Sequence, residues 1–131
     1  MTVSRSYVAL LATLALVLVA APSRAMRHLK LAKSSPGADT TMTVSPDAIR
    51  LWLSEPADAA PSKISLATST GTAISLEKVT RDTSKNAPLV ARLTAPIKPG
   101  QYKVTWKAMS KDGHVVNGTF GFRVATAVGA K

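Results

Sequence analysis

The sequence predicts an all-β domain, folded as an antiparallel β-sandwich or Greek-key barrel of the Ig-like kind. Apolar and polar residues alternate with period two in seven short segments, which is the pattern of a strand with one buried face. Turn-forming pairs such as Thr70-Gly71, Pro99-Gly100 and Asp112-Gly113 separate these segments. About seven short strands with such turns are typical of sandwiches and Greek-key barrels.

The alternating apolar positions define the strands in chain order. Leu29 and Leu31 make a short first strand, and six further segments follow. Their alternating apolar residues are Ile49, Leu51 and Leu53; Ile64 and Leu66; Ile74 and Leu76; Leu89, Ala91 and Leu93; Tyr102, Val104 and Trp106; and Phe120, Phe122 and Val124.

Residues 1–25 are predicted to be a cleaved secretory signal peptide, followed by a domain of residues 26–131. Arg5 precedes an apolar run at 7–21, which is short for a transmembrane helix because a span needs about 20 residues. A cut after Ala25 leaves small residues at its −3 and −1 positions, whereas a cut after Ala21 would place Pro22 beside the cleaved bond. The mature protein is therefore expected in the periplasm, without a membrane span.

The composition excludes several kinds of site. The 131 residues suffice for one domain and include no cysteine, which rules out disulfides, thiolate zinc sites, iron–sulfur clusters and thiol nucleophiles. The chain also lacks a Gly-x-Ser-x-Gly motif and a glycine-rich phosphate loop, and its acidic residues are scattered singly. Nothing in the sequence therefore points to hydrolysis.

The chain is strongly basic, with a formal charge of +10 that becomes +8 when Arg5 and Arg24 leave with the signal peptide. Lys103 and Lys107 alternate with apolar residues, so they are predicted to lie on the solvated face of a strand. Export removes nucleic acid as a routine partner. An anionic membrane surface or an acidic protein would still be attracted by the positive potential.

Two histidines and one aspartate are the candidate metal ligands. His114 follows Asp112 by two residues in a predicted turn, and His28 stands at the start of the first strand, close to the new amino terminus. Imidazole, carboxylate and a terminal amine are ligands that Cu(II) favours, and Cu(II) heads the divalent affinity order. By spacing alone, such residues are more often simply solvated. Met42 and Met109 are isolated, and isolated methionines are more often gap-fillers than Cu(I) ligands.

Four spaced segments match the pattern of a known family. Residues 28–36 are similar to a His-Ala-x-Leu-x-x-Ser-x-Pro start, and residues 44–56 to a Pro-x-x-Val-x-Leu-x-Phe-Ser-Glu-Pro segment. Residues 99–106 read Pro-Gly-Gln-Tyr-Lys-Val-Thr-Trp, and residues 110–122 read Ser-Lys-Asp-Gly-His-Val-Val-Asn-Gly-Thr-Phe-Gly-Phe. Over nearly all of its mature length the chain resembles the CopC family of periplasmic copper-binding proteins (copper resistance protein C).

This resemblance implies a seven-stranded Greek-key β-barrel with a Cu(II) site near its amino terminus. His28 would be the amino-terminal histidine ligand, His114 the second imidazole and Asp112 the carboxylate near the metal, and the terminal amine would complete the site. Other members add a methionine-rich loop for Cu(I), but the comparable stretch from Thr80 to Leu93 contains no Met or His. The chain is therefore expected to be a Cu(II)-only member.

The predicted cleavage departs from the family pattern, because it leaves Met26 and Arg27 in front of His28. A free Met-Arg-His terminus can wrap Cu(II) with its amine, two backbone amides and the imidazole. Two hypotheses follow: a shared site that uses His28, Asp112 and His114, or a local terminal chelate that uses Met26, Arg27 and His28. Further trimming to His28 would restore the family arrangement.

The leading interpretation is a periplasmic Cu(II) carrier that buffers copper or delivers it to an inner-membrane copper transport protein. A metal-free β-sandwich interaction module of the cell envelope is the alternative. A copper enzyme is a third interpretation, but Trp52 is the one strand aromatic that the alternation places outward, so no substrate platform is indicated. The chain is therefore predicted not to be an enzyme.

Overall fold

The computed structural model describes residues 29–84 and 86–126, which contain strands, turns and loops but no helix. Nine strands are present in this part of the chain, and three of them have two residues each. They are β1 (Leu31–Ser35), β2 (Thr41–Met42), β3 (Ala48–Leu53), β4 (Ala57–Thr68), β5 (Ala73–Ile74), β6 (Thr80–Arg81), β7 (Leu89–Arg92), β8 (Gly100–Ser110) and β9 (Val115–Val124).

The strands form two sheets. One sheet has four strands in the order β1-β3-β7-β6, and the other has five in the order β2-β9-β8-β4-β5. The hairpin of β8 and β9 is the longest continuous ladder, running in one register from Gly100 opposite Val124 to Met109 opposite Val115. Strand β4 pairs antiparallel with the other edge of β8, so β8 is the centre of the larger sheet.

The inward faces of both sheets supply the core. On β8, Tyr102, Val104, Trp106 and Ala108 are buried, while the residues between them are exposed. This period-two burial is what the sequence pattern predicts. Opposite them, Ile49 and Leu51 of β3 and Leu89 of β7 are among the most deeply buried side chains.

The all-β prediction is confirmed, and each of the seven predicted segments contains a strand. The first strand differs from its prediction, since it begins at Leu31 and Leu29 is a buried residue before it. The strands β2 and β6 were not predicted, because two residues are too few to show alternation. Strand β2 also pairs parallel with β9, so the expectation of wholly antiparallel pairing was wrong at this edge.

Within the described residues, no helix is long and apolar enough to cross a membrane. The predicted signal peptide at 1–25, together with Met26 and His28, lies outside the described residues.

Gly118 of β9 lies opposite Trp106, and an added Cβ would sit 2.9 Å from the buried indole ring. We expect Gly118→Ala to lower the free energy of unfolding by roughly 1–3 kcal/mol, because a packed core does not accept an extra carbon without strain. Gly121→Ala on the same strand is the matched control, since its Cβ would meet Tyr102 O at an ordinary 3.4 Å. Chemical denaturation of both variants measures the difference. Equal stability of the two would contradict this packing.

Candidate metal centre

The turn between β8 and β9 has a defined backbone. The Ser110 carbonyl accepts a hydrogen bond from Gly113 N–H at 3.0 Å, and Ser110 N–H donates to the His114 carbonyl at 2.9 Å. Gly113 has a φ of 86°, a left-handed conformation that glycine adopts without strain. This is the three-residue hairpin loop in which a β-turn is followed by a left-handed residue. The loop closes the longest ladder of the fold and holds Asp112 and His114 at its tip.

The two predicted turn ligands are in direct contact. His114 Nδ1 lies 2.8 Å from Asp112 Oδ2, and the Ser110 hydroxyl donates to the other carboxylate oxygen, Oδ1. Ser110 is buried, so its hydroxyl connects the interior of the sandwich to the exposed pair. The sequence predicted that Asp112 and His114 could project to the same side of the turn, and the two side chains are in contact. It gave Ser110 no role. The position of Ser110, two residues before Asp112 in a predicted turn, was the sequence signal that could have indicated this hydrogen bond.

These hydrogen bonds stabilise the ionised form of Asp112. The hydroxyl of Ser110, followed by the imidazole of His114, lowers the pKa of the Asp112 carboxyl to about 2. Hydrogen bonds of this kind favour the ionised form of a carboxyl group. Asp112 is therefore a carboxylate at neutral pH, and a carboxylate accepts hydrogen bonds without donating them.

The charge of Asp112 in turn determines the tautomer of His114. Because the carboxylate can only accept, Nδ1 of His114 must carry the proton of their shared hydrogen bond. In the neutral imidazole Nε2 is then unprotonated and has a lone pair available for a metal ion. A carboxylate that orients a histidine through its other ring nitrogen is a common supporting contact in metal sites.

The pair is open to solvent and is not a complete metal site by itself. The side chains of Asp112 and His114 are each 66% exposed, so a metal ion and an exchange partner could both reach them. Within residues 29–84 and 86–126, no three His, Asp or Glu side chains come together closely enough to hold a metal ion. Further histidine or carboxylate ligands would have to come from outside this part of the chain.

The start of the described chain lies at the same end of the sandwich as this turn. Lys30 and Ser54 exchange hydrogen bonds, since the Ser54 N–H donates to the Lys30 carbonyl at 2.8 Å and the Lys30 N–H donates to Ser54 Oγ at 3.0 Å. Three residues after Ser54, Ala57 pairs with Ser110 at the base of the turn. We call this end, formed by residues 29–30, 54–57 and 110–114, the turn end.

A cleft of about 350 Å³ also opens at the turn end. Trp52, Glu55, Arg81 and Asn86 line it together with apolar residues, and no methionine or histidine is among its lining residues. Met42 is partly buried and packs against the core instead. Neither thioether nor imidazole ligands are therefore present in the cleft.

Comparison with known proteins assigns most of the chain to one family. The CopC domain family matches residues 31–125. Protein YobA of Escherichia coli strain K12 is 31% identical over 97 residues, which are 74% of this chain and 78% of YobA. The copper transport protein CutJ of Bacillus subtilis strain 168 is 27% identical over 116 residues, which are 88% of this chain. The chain spans about a fifth (21%) of the length of CutJ.

Two solved structures share the architecture. CopC from Methylosinus trichosporium OB3b has a TM-score of 0.71 at 28% identity, covering 79% of this chain and 100% of that one. PcoC, a methionine-rich copper resistance protein from Escherichia coli, has a TM-score of 0.64 at 26% identity, covering 74% and 98%. The chain therefore belongs to the CopC family.

Removing the Ser110 hydroxyl should change the titration of Asp112. In Ser110→Ala we expect the pKa of Asp112 to rise from about 2 towards its ordinary value of 3.8, because the larger of the two stabilising hydrogen bonds is lost. The carboxyl carbon resonance of Asp112, followed by NMR against pH, measures this shift. Ser65→Ala, on an exposed position of β4, is the control and should leave the resonance unchanged. An unaltered pKa in Ser110→Ala would contradict the geometry of the turn.

Proposed function

We propose that this protein binds one Cu(II) ion at the turn end, through His114 and the amino-terminal residues around His28, with Asp112 beside the metal. The observation that carries the proposal is the contact between Asp112 and His114, which leaves Nε2 of His114 available on an exposed tip. The CopC family membership supports copper as the ion. A nitrogen-rich set with a carboxylate suits Cu(II) rather than Cu(I), which prefers thioether and thiolate ligands.

The geometry of the turn end supports a ligand from the amino terminus. His28 is bonded to Leu29, and consecutive Cα atoms are separated by about 3.8 Å. Leu29 and Lys30 lie at the end of the sandwich where Ala57 pairs with Ser110. The peptide bond to Leu29 therefore attaches His28 at the turn end, which supports a site that it shares with His114.

Asp112 has two roles open to it in this site. Its Oδ2 orients His114, and the same carboxylate has further lone pairs that could approach the metal directly. In either role it adds negative charge beside a divalent cation. We propose that it acts first as the group that holds the His114 ring in its metal-binding tautomer.

The cellular role that we propose is that of a copper carrier. Exported by the signal peptide at 1–25, the mature domain of 26–131 would buffer Cu(II) in the periplasm or deliver it to an inner-membrane copper transport protein. CutJ is named as a copper transport protein and PcoC as a copper resistance protein, which supports transport rather than catalysis. An exposed site with few ligands also favours ligand exchange with a partner.

A competitive Cu(II) titration tests the proposal. The sample is the protein as the producing cell releases it, with its amino terminus established by intact mass. We expect one equivalent to bind tightly and both His28→Ala and His114→Ala to weaken the affinity by more than ten-fold, because each removes an imidazole ligand. Asp112→Asn should cost 10–100-fold, the usual effect of losing a carboxylate that supports a metal-bound histidine.

Lys111→Gln is the matched control, because Lys111 is an exposed neighbour in the same turn with no predicted part in the site. Its affinity should equal that of the unmodified protein. Binding that depends on His28 but not on His114 would replace the shared site with a local chelate at Met26, Arg27 and His28. Absence of tight binding would contradict the copper proposal and favour a metal-free interaction module.

A further inference from the structure

The outward face of the five-stranded sheet has a group of cations, none of which belongs to the turn end. Lys63 of β4, Lys103 and Lys107 of β8 and Arg123 of β9 are all exposed. Each alternates with core residues on its strand, so its side chain points away from the interior. We call this surface the cationic face and define it by these four residues.

The strand register brings these cations together. Lys107 lies directly opposite Lys63, and Lys103 is four residues from Lys107 along β8, or about 13 Å at the usual rise of a strand. Arg123 lies opposite Gln101, two residues beyond Lys103. The cationic face is therefore about 20 Å long and three strands wide.

None of the four cations takes part in an ion pair within the described part of the chain. The ion pairs found there are Arg50 with Asp47 and His114 with Asp112, and neither involves the four cations. By register the nearest carboxylates are Asp58, opposite Met109 at the turn end, and Asp39 at the border of the face. The Asp39 N–H donates to the carbonyl of Gly121, which lies opposite Lys103, and Asp39 lines a pocket together with Arg123.

Lys63 and Lys107 form a like-charge pair across two neighbouring strands. Like charges directly opposite each other on neighbouring strands are destabilising. Folding therefore gains nothing from placing these lysines together. A negatively charged surface outside the molecule would attract both lysines and offset this repulsion.

We propose that the protein binds peripherally, through the cationic face, to the surface of a membrane that contains anionic phospholipids. The residues between the cations are small and polar, as in the row of Ser65, Thr105 and Thr119. Protein interfaces usually have aromatic or other large anchors at their centre, and single-stranded nucleic acid needs aromatic side chains for stacking. An array of anionic headgroups requires only accessible positive charge.

This mode of binding would orient the candidate copper site. With β8 and β9 lying along the membrane surface, the turn that holds His114 would stand at the border of the contact rather than beneath it. A membrane-embedded acceptor could then approach the turn end from the side. This orientation rests on the proposed copper function, whereas the membrane binding itself requires no copper.

Co-sedimentation with vesicles tests the proposal, using metal-free protein as the producing cell releases it. Vesicles of equimolar phosphatidylglycerol and phosphatidylcholine are compared with vesicles of phosphatidylcholine alone. We expect binding to the anionic vesicles at low salt and its loss at high salt. Each Lys or Arg near an anionic surface contributes about five-fold to partitioning, so the variant Lys63→Gln, Lys103→Gln, Lys107→Gln should bind about 100-fold more weakly.

The matched control removes the same charge elsewhere, through Lys33→Gln, Lys78→Gln and Arg92→Gln, all exposed residues outside the cationic face. It should lose only a few-fold in binding. Equal losses in the two triple variants would overturn the assignment to this face, because net charge alone would explain them. No binding to anionic vesicles, or equal binding to phosphatidylcholine, would overturn the membrane proposal. Binding of soluble polyglutamate in place of vesicles, with the same lysine dependence, would replace the membrane with an acidic protein.

Because copper is absent from this experiment, its result is separate from that of the copper titration. Loss of copper binding would leave the vesicle result standing. Loss of vesicle binding would leave the copper site standing.

Discussion

The unbroken register of the β8–β9 hairpin is the constraint on which the other features of this protein depend. Ten residues of each strand pair without a bulge, from Gly100 and Val124 to Met109 and Val115. A slip of one residue would turn every side chain of a strand to the opposite face. It would expose Trp106 and Val104 and bury Lys103 and Lys107. The same register ends in the tight turn that brings Asp112 to His114.

Core packing maintains this register at one end of the hairpin, and the turn maintains it at the other end. Tyr102 stacks on Phe122, with ring centroids 5.6 Å apart, and the Tyr102 hydroxyl donates to the Lys98 carbonyl at 2.5 Å. At the other end, Gly113 supplies the left-handed residue that a three-residue loop requires. A candidate ligand site at the tip of such a hairpin is held by a rigid support, although its side chains are solvated. For the proposed copper carrier, this combination would preserve the ligand geometry while leaving the metal accessible.

Much of the larger sheet could be predicted from the sequence because its strands have one buried and one solvated face. Alternation around Tyr102, Val104 and Trp106 gave the position and the orientation of β8 correctly. The first half of β4 gave no such signal, since Ala57, Ala59 and Ala60 are small and Pro61 is unusual within a strand. The short β2 takes its conformation from its parallel pairing with β9, which is a tertiary contact that no local pattern encodes.

The candidate site was likewise predictable in part from the sequence. The Asp-Gly pair predicted a turn, and the two-residue spacing of Asp112 and His114 predicted that they could lie together, as they do. The buried hydroxyl of Ser110 and its effect on the pKa of Asp112 required the three-dimensional structure, because they depend on which turn atoms face one another. His28 and Met26 lie outside the described residues, so their part in the site remains a prediction.

The central claim is that one Cu(II) ion is shared between the turn and the amino terminus. Electron paramagnetic resonance of the Cu(II)-loaded protein tests this claim most directly, when the histidine carries its isotopic label only at the ring nitrogens and the spectrum is read for directly coordinated nitrogens. Since the chain contains two histidines, coupling of one copper ion to two labelled nitrogens identifies both His28 and His114 as ligands. We expect this coupling in the unmodified protein and the loss of one labelled nitrogen in His114→Ala. A spectrum with one labelled nitrogen, unchanged by His114→Ala, would contradict the shared site and show a chelate confined to the amino terminus.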